Sequence, residues 1–309
     1  MQIIYDNDES FNLSKSVVTI GTFDGIHIGH SAILDELYYY SKEKKSNSVL
    51  ITFNPHPRTV INKNYNIKIL TTFEEKIDIL HNYKIDYLYV INFTKEFSKT
   101  TYKEFINKTI INKLRATYIV VGYDHKFGKD RDGDISKLME IANQNSIGIS
   151  VIGSKDIGGE IVSSTKIRNA INSGNIELAN KMLGRNYSLS GIVVEGTKRG
   201  RTLGFPTANI SIDDSNKMVP QNGVYFAEVT FNNKNYFGVL NIGLRPTFNN
   251  AKEPITEVHI LDFNESIYGR KLTIRFFNRL RNEIKFESKE KLEKQIKEDI
   301  KVVKSLIKK

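Results

Sequence analysis

The chain contains no cysteine, which excludes disulfides and thiolate metal sites. No apolar run approaches the ~18–20 residues that span a bilayer, so no membrane partner is expected. The first twenty residues hold Asp6, Asp8 and Glu9 and no cationic start before an apolar core, so no signal peptide is read. A cytoplasmic protein is the expectation. No G-x-x-x-x-G-K-[ST] loop and no G-x-G-x-x-G occurs, so any phosphate chemistry must use another scaffold.

What is present is 309 residues, enough for about two domains, with a formal net charge of +10. The charge is uneven. Met1 to Leu183 carries 23 basic against 21 acidic residues, and Gly184 to Lys309 carries 22 against 14. A basic half suits nucleic acid, an anionic substrate, or only a lysine-rich solvated surface.

The first half alternates signals. The runs "SVVTIG", "SVLITF", "YLYVINF", "ATYIVVG" and "GISVIG" are strand-like, and "SAILDELYYYSKEKK" and "TFEEKIDILHNY" have helical spacing. Thr72 with Glu75 three residues on is a capping-box pattern. At "NPHPR" two prolines argue against a regular element. The alternation predicts a parallel sheet with helices on both faces, with ligands at the carboxyl ends of strands. Glycine- or proline-rich stretches follow Ile20, Phe53 and Val121. Past about Ser188, six strand-like runs follow with no helix between them, which predicts a closed antiparallel barrel. "NNKN", Asn232 to Asn235, is a hairpin-type turn. In the terminal helix Leu292, Ile296, Ile300, Val303 and Ile307 fall on one face. The boundary is placed at 183/184, giving domains 1–183 and 184–309.

"GTFDGIHIGH", Gly21 to His30, places two of the six histidines three residues apart. Gly21, Gly25 and Gly29 let the backbone turn and approach a ligand. The histidines fall where the loop enters a helix, whose N-terminus favours anions. Two imidazoles there add donors for phosphate oxygens, most useful where charge develops in a transition state. A metal pair and incidental surface residues are the competing readings. "SSTKIR", Ser163 to Arg168, offers hydroxyls before a second helix and two cations, Lys166 and Arg168.

With these residues the chain resembles the nucleotidylyltransferase superfamily and its HxGH signature. "TFNPHPR" and "GYDHKFG" narrow the resemblance to bacterial bifunctional riboflavin kinase/FMN adenylyltransferases. The resemblance implies a Rossmann-like nucleotidylyltransferase sheet in which His27 and His30 stabilise the α-phosphate of ATP. It implies that Gly21, Phe23, Asp24, Gly29, Asp124, Ser163, Ser164 and Thr165 bind the nucleotide, with Phe127 close by. Arg168 meets the leaving pyrophosphate, and Asn54, Pro55, His56, Pro57 and Arg58 line the flavin side. His125 and Lys126 depart from the family, which more often has an aromatic and then a variable residue there.

"GTKRGRTLGFPTANI", Gly196 to Ile210, is rich in glycine and cations. Thr207 and Asn209, two apart, point to one face, and their oxygens are hard donors that suit Mg²⁺. Glu257 in "TEVHILDF" is a candidate general base on a face read as opening into the barrel mouth. "GVYFAEV", "GVLNIGLRPTF", "YGRKL" and "LRNEIKF" follow in the order of riboflavin kinase. That resemblance implies Mg²⁺ held by Thr207 and Asn209 with ATP, and Glu257 activating the ribityl 5′-hydroxyl. It places Gly196, Lys198, Gly200, Arg201 and Gly204 over the nucleotide and the 281–286 segment on the flavin side. The expected function is phosphorylation of riboflavin to FMN, then adenylylation of FMN to FAD and pyrophosphate. Riboflavin, FMN and ATP are the expected partners, nucleic acid is not, and weak self-association is left open. The rivals are nucleotidyl transfer to another phosphorylated alcohol, and a basic RNA-binding protein with an inactive HxGH fold.

Overall fold

The computed structural model describes residues 1–61, 67–196, 200, 203–246 and 252–308, grouped in two compact units, Met1–Ser164 and Thr165–Lys309. The expected division lay at 183/184. The intervening helical segment groups with the second unit.

The first unit is built on six parallel strands: β1 (Gln2–Tyr5), β2 (Ser16–Ile20), β3 (Asn47–Asn54), β4 (Tyr87–Asn92), β5 (Ala116–Gly122) and β6 (Gly148–Ile152). Their order is β1-β4-β3-β2-β5-β6. Val17, Val18, Val49, Leu50, Ile51, Leu88, Ile119 and Val120 are at or near zero exposure, because side chains on both faces are covered. Helix α1 (Ile28–Glu43) follows β2, and α2 (Pro57–Ile61) follows β3. Two prolines were expected to forbid any element at "NPHPR". Instead Pro57 opens the short α2, where its missing N–H costs nothing. Helix α3 (Phe73–Leu80) has the expected capping box, with Thr72 Oγ1 accepting from Glu75 N and Glu75 Oε2 accepting from Thr72 N. Helix α4 (Tyr102–Phe105) runs on as a π-helix over Ile106–Lys113, α5 (Ile135–Gln144) precedes β6, and β7 (Asp156–Ile157) and β8 (Glu160–Ile161) form a small hairpin. Strand order reverses between β2 and β5, which makes their carboxyl ends the switch-point crevice of an open parallel sheet.

In the second unit, α6 (Ser164–Asn172) and α7 (Ile176–Leu183) lead into β9 (Ser188–Val194), β10 (Ala208–Ser211), β11 (Gly223–Phe231), β12 (Lys234–Pro246), β13 (Lys252–Ile260) and β14 (Lys271–Arg281). These close in the order β10-β13-β12-β11-β14-β9, with every pairing antiparallel. Tyr225, Phe276, Leu240, Ile242, Leu272 and Val258 pack the interior. The turn between β11 and β12 is Asn232-Asn233, both at positive φ (48° and 59°), as a two-residue type I′ hairpin requires. The terminal helix α8 (Lys289–Ile307) lays Ile300, Val303 and Leu306 on Val224, Phe226 and Val239. Ile307, expected on that face, is 38% exposed, and Leu306 takes its place.

Candidate active sites

The Gly21–His30 segment leaves the end of β2 at the switch point. Three of the four residues 23–26 sit at positive φ: Phe23 at 46°, Gly25 at 87° and Ile26 at 39°. For a β-branched residue such as Ile26 this is a strained conformation. It persists because the surroundings hold it. Phe23 and Ile26 are buried (1% and 0% exposed). Asp24 Oδ1 accepts from the amides of Leu70 (2.9 Å) and Thr71 (3.1 Å), and Gly25 N donates to Thr71 Oγ1 (3.2 Å). The Asp24 carboxylate thus ties the loop to the backbone of Leu70 and Thr71.

The loop delivers His27 to the N-cap of α1. His27 Nδ1 accepts from His30 N at 3.4 Å, so Nε2 is the ring's donor. The two imidazoles stack with centroids 3.7 Å apart and planes at 15°, and Phe23 packs on His30 at 4.8 Å. A Cβ at Gly29 would lie 3.2 Å from the His27 ring, so glycine leaves the imidazole its space. Ser164 Oγ donates to the Asp24 carbonyl at 2.9 Å, which brings the "SST" segment against the same loop. Ser163 is half-buried beside it and Thr165 is exposed.

The other expected stretches begin at the carboxyl ends of the neighbouring strands. Asn54 ends β3 and is exposed, as are Pro55 and Arg58, while His56 and Pro57 are half-buried. His56 Nδ1 accepts from Arg58 N at 3.2 Å. After β5, Asp124 is exposed and Phe127 is buried against Tyr102 and Phe105. His125 stacks on Phe127 at 5.3 Å, filling the departure noted in the sequence. Since β3, β2 and β5 are adjacent, their three loops share one edge of the sheet.

In the barrel, Asn209 on β10 stands directly opposite Glu257 on β13, and Glu257 stands opposite Asn241 on β12. Directly opposed residues share a face, so the three form a row across adjacent strands. Their neighbours Ala208, Ile210, Thr256, Val258, Leu240 and Ile242 are buried inside. The row therefore lies on the outer face. Glu257 was expected to open into the barrel mouth; strand alternation gives that interior to Thr256 and Val258. Thr207 precedes β10 and alternates with Ala208, which leaves it on the side of Asn209. The start of β10 is pinned to β13, where His259 Nδ1 donates to the Pro206 carbonyl at 2.8 Å. A Cβ at Gly196 would fall 2.1 Å from Asn209 Nδ2, and one at Gly200 3.2 Å from Thr207 Oγ1. The glycines thus form a cradle over the two oxygen donors. Gly204 has φ +81° with open space around it. Lys198 and Arg201 lie outside the described residues. Arg168 lies one turn into α6 and is half-buried.

Both halves find relatives. A family model for FAD synthetase matches residues 10–166, and one for riboflavin kinase matches residues 183–307. A bifunctional riboflavin kinase/FMN adenylyltransferase of Buchnera aphidicola (Schizaphis graminum) is 41% identical over 94% of this chain and 94% of its own. That of Bacillus subtilis is 36% identical over 93% and 90%. The chain belongs to the bifunctional riboflavin kinase/FMN adenylyltransferase family. It is a transferase that phosphorylates riboflavin to FMN and adenylylates FMN to FAD, with ATP as co-substrate. Neither rival activity is favoured. A solved structure titled macrolide-efflux protein, from Streptococcus pneumoniae, has the same fold: TM-score 0.88, 30% identity, 98% of this chain and 99% of that one.

Two neighbours of the expected sites stand out in the structure: Glu283, within the 281–286 segment expected on the flavin side, and Lys76, which was not singled out from sequence. Glu283 reaches the Gly243–Asn241 stretch of β12, its Oε1 2.5 Å from where a Gly243 Cβ would be. Lys76 lies under the Gly21–His30 loop, its Nζ donating to the Thr22 carbonyl at 2.7 Å. The second carried a signal: Lys76 is four residues before buried Leu80 in α3, on a core-facing position.

Proposed function

We propose that the two reactions are divided between modules 1–183 and 184–309 and that the residues described above carry them. In the C-terminal module Glu257 accepts the proton of the ribityl 5′-hydroxyl as that oxygen forms its bond to the γ-phosphorus of ATP and ADP leaves. Asn209 and Thr207 would hold Mg²⁺ when it is bound with the nucleotide. Two neutral oxygens on one face fit an ion that keeps waters and takes most ligands from phosphates. Such an ion would supply positive charge against the nucleotide phosphates. Gly196, Gly200 and Gly204, with Lys198 and Arg201, cover the nucleotide. The observation that carries this reading is the Asn209–Glu257 pairing: it sets a carboxylate beside hard oxygen donors under a glycine cradle.

In the N-terminal module a phosphate oxygen of FMN attacks the α-phosphorus of a second ATP and pyrophosphate leaves. His27 Nε2–H and His30 donate to the α-phosphate oxygens as charge gathers there, aided by the N-terminus of α1. Gly21, Phe23, Asp24 and Gly29 shape that loop, and Ser163, Ser164, Thr165 and Asp124 bind the nucleotide. Asn54, Pro55, His56, Pro57 and Arg58 take the flavin phosphate side. For Arg168 the support is its place in the "SSTKIR" motif. Neither step needs a covalent enzyme intermediate, and both depend on positioning and charge. The expected setting is the cytoplasm; among the described residues no helix is long and apolar enough to cross a membrane.

The test is incubation with riboflavin, ATP and Mg²⁺ followed by chromatographic separation of the flavins. Glu257→Gln should lower FMN formation by about 100-fold or more and leave conversion of added FMN to FAD intact. His30→Ala should lower FAD formation by about 100-fold and leave FMN formation intact. Loss of both activities in either folded variant would refute the division.

A further inference from the structure

Lys76 is 6% exposed, and Asp24, the charged group facing it, is 2% exposed. A lysine is seldom buried unless it is paired. An apolar side chain of the same length would fill this space without desolvating an ammonium. The groups it meets are specific. Nζ donates to the Thr22 carbonyl at 2.7 Å and to Thr52 Oγ1 at 3.2 Å, and Thr52 Oγ1 itself donates to the same carbonyl at 3.3 Å. Thr22 lies two residues past the end of β2, immediately before the strained run Phe23–Ile26. Thr52 is on β3, so one ammonium ties α3 and the neighbouring strand to the root of the loop.

We propose that Lys76 is a positioning residue for adenylyl transfer: by clamping the Thr22 carbonyl it sets the direction in which the loop presents His27 and His30. The proposal rests on reading the Gly21–His30 loop as the adenylyl-transfer site. Lys76 touches no substrate. Its effect passes through the backbone of Thr22 to Phe23, which packs on His30. Donors that are displaced by a fraction of an ångström still bind ATP but no longer meet the charge of the transition state. The loss should therefore appear in kcat, with KM little changed.

The experiment compares the full chain with Lys76→Met, Thr52→Val and His30→Ala, measuring FAD formation from FMN and FMN formation from riboflavin on each preparation. For Lys76→Met we expect kcat for FAD formation to fall about tenfold or more, with KM for FMN and ATP within about threefold of wild type. FMN formation should be unchanged. Thr52→Val should lower the same kcat less, and the double variant should be no worse than Lys76→Met alone. A kcat within about twofold of wild type, or a rise in KM without a fall in kcat, overturns the proposal. If Lys76→Met does not fold, Thr52→Val decides, and an unchanged kcat there overturns it. Retention of FAD formation by His30→Ala would sink the site reading itself. Loss in His30→Ala with retention in Lys76→Met would sink only the role given to Lys76.

Discussion

At the scale of single residues, the side chains proposed for the chemistry were singled out by residue type and spacing, and the contacts that hold them were not. His27, His30, Thr207, Asn209 and Glu257 stand out because their residue types at those spacings suit phosphate chemistry. Asp24 was legible as part of the motif, but its carboxylate serves the amides of Leu70 and Thr71, forty-odd residues away in sequence. No local pattern encodes such a contact. Lys76 is the sharper case. Burial pushes its ammonium pKa down from 10.5 to about 8, against the opposing pull of Asp24. Between those two pH values the unfolded chain binds more protons than the folded one. Stability of the first unit should therefore rise with pH from about 8 to 10.5 and be lowest below 8. The gain is up to about 3 kcal/mol. Urea unfolding at several pH values, wild type against Lys76→Met, checks it: the wild type should gain on the variant as pH rises. A constant difference would show that Lys76 does not titrate there.

At the scale of elements, periodicity carried most of the fold. Five of the parallel strands and all six barrel strands were readable from short apolar runs, and Thr72 and Glu75 marked the start of α3. The misses have physical reasons. Strand β1 buries only Ile4 of its four residues, so it has no run to see. In the hairpin β7–β8 each strand has two residues around Gly158-Gly159, whose positive φ values of 61° and 81° make the turn. The π-helical stretch after α4 buries Ile106 and Ile110, four apart, which an α-helix would do equally well. One element allows improvement. Asn233 sits at φ 59°, which glycine adopts at less cost. Asn233→Gly should stabilise the barrel by roughly 0.5 kcal/mol, read as a higher urea midpoint with an unchanged slope. The link between β14 and α8 predicts the opposite sign. Arg281 Nε and Nη2 donate to Asp299 at 2.9 and 2.7 Å, with Gln295 Nε2 at 3.0 Å on the same carboxylate. Their side chains are 19% and 6% exposed. Asp299→Ala leaves that largely buried guanidinium without its carboxylate, with only the Asn282 carbonyl and the Phe286 ring beside it, and should cost about 2 kcal/mol in the same experiment.

At the scale of the whole molecule, the sequence announces where strand composition changes, whereas compactness depends on which surfaces are covered. That difference separates the expected boundary at 183/184 from the contact division at 164/165. Helix α7 buries Ile176, Ala179, Met182 and Leu183 and touches β14, and Asn180 Nδ2 donates to the Phe276 carbonyl at 2.8 Å while its Oδ1 accepts from Tyr187 N at 2.7 Å. Gln221 N donates to the Ile171 carbonyl at the end of α6. A fragment starting at residue 184 strips these contacts from the barrel, and one starting at 165 keeps them. Starting at 184 removes the apolar cover of α7 and the Asn180 and Gln221 hydrogen bonds, each worth about 1 kcal/mol. Fragment 165–309 should therefore unfold at a distinctly higher urea concentration than 184–309. Equal midpoints would mean that the two helices contribute nothing to the barrel. Both fragments keep Thr207, Asn209 and Glu257, so the truncation should change how many molecules are folded and leave FMN formation per folded molecule the same.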